Sequence, residues 1–308
     1  MVDIRFLLDA TNPLGVLAEV VHPVLEWLKY EHGNFDAHLR PDPVRDEPGA
    51  IVLHIGAESP VGDIEDWLTG APGITGVRTE PARPVAYPPV RATLSAALSR
   101  VHLDDRSQTP LHCAVAMLSA VADSHPAGRD RGLISYQSHY AGLTHNLLTA
   151  GARERMQRLV EQWIGNSRAW LDRTVPGPSA SSWNDAVRWS YGFLQGCPEH
   201  IAADYLGTGP APVAGKSEFH SEYLPLVDEY NAPWFRANRV LNTVVYSEIF
   251  PMIGIDVKQR IAATGIITTY SRMTGWDHSE FFEKMRPDDP VRPIENYLRP
   301  LDHGMVSQ

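Results

Sequence analysis

With 308 residues, 43% of them hydrophobic and 9% aromatic, the chain can bury a large core, as one big domain or two. A net charge of −10 and a pI near 5.7 argue against nucleic acid as the main partner, because phosphate binding rests on clustered Lys and Arg and no basic run exists. Cys113 and Cys197 are too far apart to suggest a disulfide framework or a thiolate metal site, and no apolar run reaches the roughly 18 residues of a membrane span; a cytoplasmic protein without a signal peptide is expected.

Residues 2–8 alternate apolar and polar side chains before turning wholly apolar, a strand that Asn12-Pro13 ends. Over 14–30 the residues Leu14, Leu17, Val21, Val24, Leu25 and Leu28 recur at helical spacing, with Asn12 as cap and Pro23 as a kink or restart. A short strand at 35–40, a Pro-rich turn over 41–49, an apolar strand at 50–56, a short helix at 63–68 and a last strand at 74–79 complete the order of a split βαβ, or ferredoxin-like, unit. Four prolines within 81–89 resist regular structure and mark a linker. Amphipathic helices follow at 90–102, 110–123, 138–149, 151–173, 182–195, 217–230, 232–251 and 256–273, and the Gly- and Pro-rich stretch 207–215 reads as a mobile loop. The expected fold class is α+β: a ferredoxin-like unit over 1–80, a linker at 81–89, and a mainly helical unit over 90–308, with a groove between the two.

The usual signatures of cofactor chemistry are missing. There is no glycine-rich phosphate cradle, no Ser in a strand-turn-helix elbow, no His pair four apart beside a Glu, and no calcium-type carboxylate box. The histidines are scattered, and His139 and His145 are poorly spaced for a shared metal, so neither cofactor nor metal is expected.

Two polar clusters remain. Ser135-Tyr136-Gln137-Ser138-His139-Tyr140, with His145 and Asn146, sits at an expected helix entry, where free backbone N–H groups favour developing negative charge. The competing account is that these Tyr and His residues edge the core with their hydrogen bonds satisfied. On the helix at 232–251, Arg236, Arg239 and Asn242 align, and Asn242, Tyr246 and Phe250 continue the stripe beside apolar Val240, Leu241, Val244, Val245 and Ile249. The competing account here is a solvated stripe, with Arg239 and Glu248 in surface ion pairs.

Asp36-Ala37-His38-Leu39-Arg40 resembles the end of the HLRLR strand near the start of thiopeptide-type bacteriocin biosynthesis domains, the small domain of lantibiotic dehydratases. Met252-Ile253-Gly254-Ile255, followed by 258–267, resembles the late helix, apolar-Gly-apolar turn and helix of the same family, and the run of elements fits from about residue 2 to residue 273. Pro41 replaces the family's second arginine, Pro251-Met252 replaces its Asn-Arg, and its Tyr-Gly-Gly stretch is absent.

These departures remove the basic residues with which the dehydratase branch would hold the carboxylate of a leaving glutamate. The chain is similar instead to the stand-alone pyridine synthases of thiopeptide pathways. That resemblance implies a formal [4+2] cycloaddition of two dehydroalanines in a modified precursor peptide, followed by loss of water and of the leader peptide as an amide, to give a pyridine-centred macrocycle without cofactor or metal. The implied partner is a precursor peptide with a leader and a dehydrated, azole-containing core, with no nucleic acid and no membrane involved. Orientation of diene and dienophile lowers the barrier, and an amide must first pass to its imidic form. Tyr136, Gln137, His139, Tyr140 and Tyr246 are the catalytic candidates for that step. His145, Arg239, Asn242, Asp63, Glu65 and Asp66 are the substrate-binding candidates, the acidic ones against basic residues of a leader lying along the sheet edge or in an apolar groove. A glutamate-elimination domain of a split dehydratase and a noncatalytic leader-binding scaffold stay open as alternatives.

Overall fold

The computed structural model describes residues 1–9, 12–42, 49–56, 59–82, 88–99, 109–175, 182–196, 217, 219 and 233–277. Cys197, the loop at 207–215, the centre of the Pro-rich linker and all of the expected helix at 217–230 except Ser217 and Phe219 lie outside the described residues.

β1 (Val2–Leu8) buries Ile4, Phe6 and Leu8 on one face and turns Asp3 and Arg5 to the other. The chain then enters α1 (Pro13–Val16), capped by the Asn12 side chain, which accepts from the Gly15 N–H at 3.1 Å. A π turn (Leu17–Val21) leads straight into α2 (His22–His32), which ends on left-handed Gly33. Pro23 therefore does not break the helix: the wide turn just before it absorbs the proline's missing donor. β2 (His38–Pro41), β3 (Ala50–Ile55), α3 (Val61–Gly70) and β4 (Ile74–Pro81) follow. The strands pair antiparallel in the order β2-β3-β1-β4, which is the split βαβ arrangement.

Register fixes the faces of this sheet. Leu39, Leu53 and Ile4 lie side by side on the helix-covered face, while His38, His54 and Asp3 form a row on the other. That second face is buried and charged, and its charges are matched. The Asp3 carboxylate accepts from Arg40 at 2.5 Å and meets His54 Nδ1 at 2.8 Å, and Arg5 pairs with both Asp42 and Glu80. His38 lies with its ring 4.8 Å from that of His54. Burial, then the neighbouring His54, Arg91 and Arg40 charges, push its pKa down to about 3, so it is neutral.

α4 (Pro88–Leu98) closes the open edge of β2. Its Ser95 hydroxyl accepts from the Leu39 N–H at 2.9 Å and donates back to the Leu39 carbonyl at 3.3 Å. The helical body comprises α5 (Pro110–Asp123), α6 (Arg129–Leu147), α7 (Ala150–Thr174), α8 (Ser182–Gly196), α9 (Pro233–Val244), a second π turn (Val245–Ile249), α10 (Phe250–Met252) and α11 (Val257–Met273). Packed against α5, α6 and α7, α11 buries Ile261, Ala263, Ile266, Ile267 and Tyr270. Its buried Thr264 and Thr268 satisfy their hydroxyls by donating to carbonyls one turn back in the same helix. Two glycines let neighbouring helices close in: a Cβ at Gly132 would meet the Ala122 backbone at 2.7 Å, and one at Gly265 would meet the Tyr140 ring at 2.7 Å. One apolar cluster runs from Ile4 in the sheet to Tyr270 in α11. Among the described residues no helix is long and apolar enough to cross a membrane.

Candidate functional site

α6 begins at Arg129, nine residues before the start expected at Ser138. Ser135 to Tyr140 consequently lie in mid-helix, where the backbone N–H groups are spent on the preceding turn, and the expected oxyanion-binding helix entry is not there. What this stretch presents is side chains.

Those side chains separate into two sets. Tyr136 is fully buried, with its hydroxyl donating to the Leu118 carbonyl at 2.8 Å. The Tyr140 hydroxyl donates to Gln157 Oε1 at 3.1 Å, and its ring packs on Gly265. Both phenols are occupied in holding α6 to its neighbours. His139 is different: its ring stacks on that of Tyr246 with centroids 4.1 Å apart and planes 15° apart, and its Nε2 is buried without a hydrogen-bond partner. The Tyr246 hydroxyl, Asn242 Oδ1 and Gln137 Oε1 are likewise buried without partners. A buried polar atom left unpaired costs about 1–3 kcal/mol, and the stacked His139 and Tyr246 bring two such atoms together, as a site that awaits a ligand would.

The backbone explains how Tyr246 arrives there. α9 does not continue as a regular α-helix to residue 251: the π turn at Val245–Ile249 widens it, and turns of this kind recur at functional sites. On the α9 side, the amide nitrogen of Asn242 donates to Asn238 Oδ1 at 2.8 Å, which also accepts from the Tyr191 hydroxyl at 2.7 Å. This chain of bonds fixes the Asn242 amide and leaves its oxygen without a partner, one turn before Tyr246. The same π turn carries Glu248, which does not sit in a surface ion pair with Arg239. Instead it takes two hydrogen bonds from Arg91 of α4, at 2.8 and 2.5 Å, in a largely buried fork.

Arg260 of α11 completes the group and was not among the residues singled out from the sequence. Its guanidinium lies 5.7 Å from the centre of the Tyr246 ring and donates to the Tyr246 carbonyl at 3.4 Å, while its Nε is buried without a partner. Burial, aided by the Arg260 charge, pushes His139 down to about 3, so its imidazole is neutral at ordinary pH. Burial raises the Tyr246 phenol well above its usual range, and Arg260 only partly offsets this, so Tyr246 keeps its proton. The site therefore offers a neutral acceptor, a neutral O–H donor and a cation in close contact.

Other expected residues stand apart. His145 is exposed in the last turn of α6. Arg239 is half-buried on α9. Asp63 and Asp66 are exposed on α3, and Glu65 accepts from the Thr79 hydroxyl of β4 at 2.7 Å. Cys113 is buried against Met117, and burial raises its thiol to about 12, which leaves it unreactive. Among the described residues no group of three or more His, Cys, Asp and Glu is arranged to hold a metal.

No protein-family model matches the sequence, and no curated protein matches it either. Comparison with solved structures gives a different result. The crystal structure of TsrL superposes with a TM-score of 0.55 over 93% of this chain and 99% of TsrL, at 13% sequence identity. The chain shares the fold of TsrL. At that identity the likeness speaks for the architecture, an antiparallel four-stranded sheet followed by a helical body, and the His139–Tyr246–Arg260 group stands on its own geometry.

Proposed function

We propose that this protein is a thiopeptide-type pyridine synthase, closing a pyridine-centred macrocycle on a dehydrated, azole-containing precursor peptide. The observation that carries the reading is the fold shared along almost the whole length of both chains with TsrL, beside the resemblance of the sequence to the stand-alone pyridine synthases. The stacked, unpartnered His139 and Tyr246 supply what the chemistry needs. The amide that becomes part of the azadiene must exchange its N–H proton for an O–H proton. With its own proton on Nδ1, His139 accepts the amide N–H at Nε2, while the Tyr246 O–H donates to the amide oxygen; the N–H bond weakens as the O–H bond forms. The exchange leaves an imidazolium beside a phenolate, a pair of zero net charge, and return of the proton from His139 to Tyr246 restores both groups. Cycloaddition then forms two carbon–carbon bonds, one between the methylene carbons of the two dehydroalanines and one from the second dehydroalanine's α carbon to the imidic carbon, and loss of water from that imidic carbon and of the leader as its carboxamide from the α carbon leaves the aromatic ring. Holding one long peptide so that its two ends meet supplies much of the rate enhancement. In this reading the acidic residues Asp63, Glu65 and Asp66 of α3 meet basic residues of the leader, and Arg239, Asn242 and His145 border the path of the core.

The test is mass spectrometry after incubation with a dehydrated, thiazole-containing precursor peptide. The expected products are the macrocycle and a leader peptide ending in a carboxamide. Release of free glutamate from a glutamylated peptide would assign the chain to the elimination reaction instead, and binding without turnover of either peptide would leave it a docking scaffold.

A further inference from the structure

Arg260 is a half-buried cation in surroundings that disfavour it. It lies at the end of the first turn of α11, against the positive end of the helix dipole, and Asp256, one turn back, is occupied in a capping box with Gln259. Among the described residues no carboxylate pairs with it, and burial depresses its pKa, so the surroundings disfavour its charge. It contacts the Tyr246 carbonyl and the face of the Tyr246 ring, and its Nε is left without an acceptor. The largely buried Arg5, Arg40 and Arg91 meet Asp42, Asp3 and Glu248, whereas the half-buried Arg260 meets no carboxylate among the described residues.

We infer that Arg260 is the oxygen-binding residue of this site, taking the carbonyl oxygen of the substrate amide whose N–H faces His139. The assignment rests on the cycloaddition reading of the same site and adds to it the group that receives the negative charge developing on that oxygen. Arg260 supplies a directed N–H at Nε and a full charge. Tyr246, held against the guanidinium, donates to the same oxygen, and Asn242 Oδ1, one turn before Tyr246, remains to accept a further N–H group of the peptide. The ligand class is thus an uncharged amide whose oxygen gains negative charge only in passing, as its N–H proton leaves and before its O–H bond is complete, and not a permanent anion.

The experiment uses the full chain and two small probes, uncharged N-acetyl-dehydroalanine methylamide and anionic N-acetylglutamate, with the side-chain NMR signal of His139, assigned through His139→Gln, as the reporter. In the unliganded protein Arg260→Gln should move the His139 titration upward from about 3 while leaving the other histidines unchanged, which checks the geometry in a folded variant. The methylamide is expected to shift the His139 signal of the wild type, with affinity lowered about tenfold in Arg260→Gln and by less in Arg260→Lys, which keeps the charge but loses the directed Nε–H. Equal affinity in wild type and Arg260→Gln overturns the inference. Arg260-dependent binding of N-acetylglutamate but not of the methylamide also overturns it, and points to glutamate elimination. Because no turnover is measured, Arg260-dependent amide binding can stand even where macrocycle formation fails.

Discussion

On the sheet, Asp3 is shared between Arg40 and His54, and Arg5 is held by Asp42 and Glu80. In the helical body the same residue types are buried on other terms: Arg260 has no carboxylate among the described residues, and His139, Tyr246, Asn242 and Gln137 each keep a buried polar atom unpaired. His38 Nε2 and Arg40 Nε on the sheet are also without a partner, so the contrast lies in the ion pairs: Arg5 and Arg40 each meet a carboxylate, and Arg260 meets none among the described residues. Paired charges contribute rigidity, and removing one partner exposes the desolvation cost of the other. Unpaired groups cost stability in the free protein and return it on binding.

The comparison can be broken at several points. Arg91→Ala leaves Glu248 buried without its fork and is expected to cost about 3–5 kcal/mol in chemical denaturation. His139→Gln should instead leave stability within about 1 kcal/mol and lower macrocycle formation about 10²–10³-fold; a variant that unfolds and otherwise keeps its turnover would place His139 with the structural residues. Asp3→Asn removes the charge shared by Arg40 and His54 and should cost about 1.5–3 kcal/mol, with turnover per folded molecule unchanged.

Acid gives a finer probe. His38, His125 and His139 have folded pKa values lowered to about 3, 4 and 3, below the ordinary 6.5 of the unfolded chain. Below pH 6.5 the unfolded state therefore binds more protons, and their contribution to stability falls as the pH drops from 6.5 towards 3–4. Between pH 4.5 and 5.5, two units of acid from neutrality, each histidine steepens the loss by about 1.4 kcal/mol per pH unit. His38→Gln or His139→Gln should each remove one such increment from the measured slope, and a slope that does not change would mean the replaced ring was solvated.

Much of the architecture is legible in the sequence, because the alternation at 2–8, the apolar run at 50–56 and the helical spacing at 110–123 and 256–273 are each produced by a single buried face. The start of α6 is not, since Arg129, Asp130, Arg131 and Gly132 look like a polar turn. Glycine stands at 132 inside the helix because the Ala122 backbone lies where a Cβ would be, a contact made by a partner helix and invisible locally. The pairing of His139 with Tyr246 joins two stretches that were each noticed, but the step from one to the other depends on the π turn, which leaves no periodicity of its own. Arg260 reads as an ordinary polar position in an amphipathic helix. The signal that could have found it is negative: a cation early in a helix whose nearby acid is already committed to the cap.

The five-residue π turn from Val245 to Ile249 aims Tyr246 at His139 and, two residues on, Glu248 at Arg91, whose helix also seals the edge of β2 through Ser95. Catalytic candidate and scaffold clasp hang from one loop of backbone. Trimming a single residue there, to restore an ordinary helix, would rotate both side chains by roughly 100°, so a lineage that straightened this turn would lose the chemistry and the joint between sheet and helices in the same mutational step.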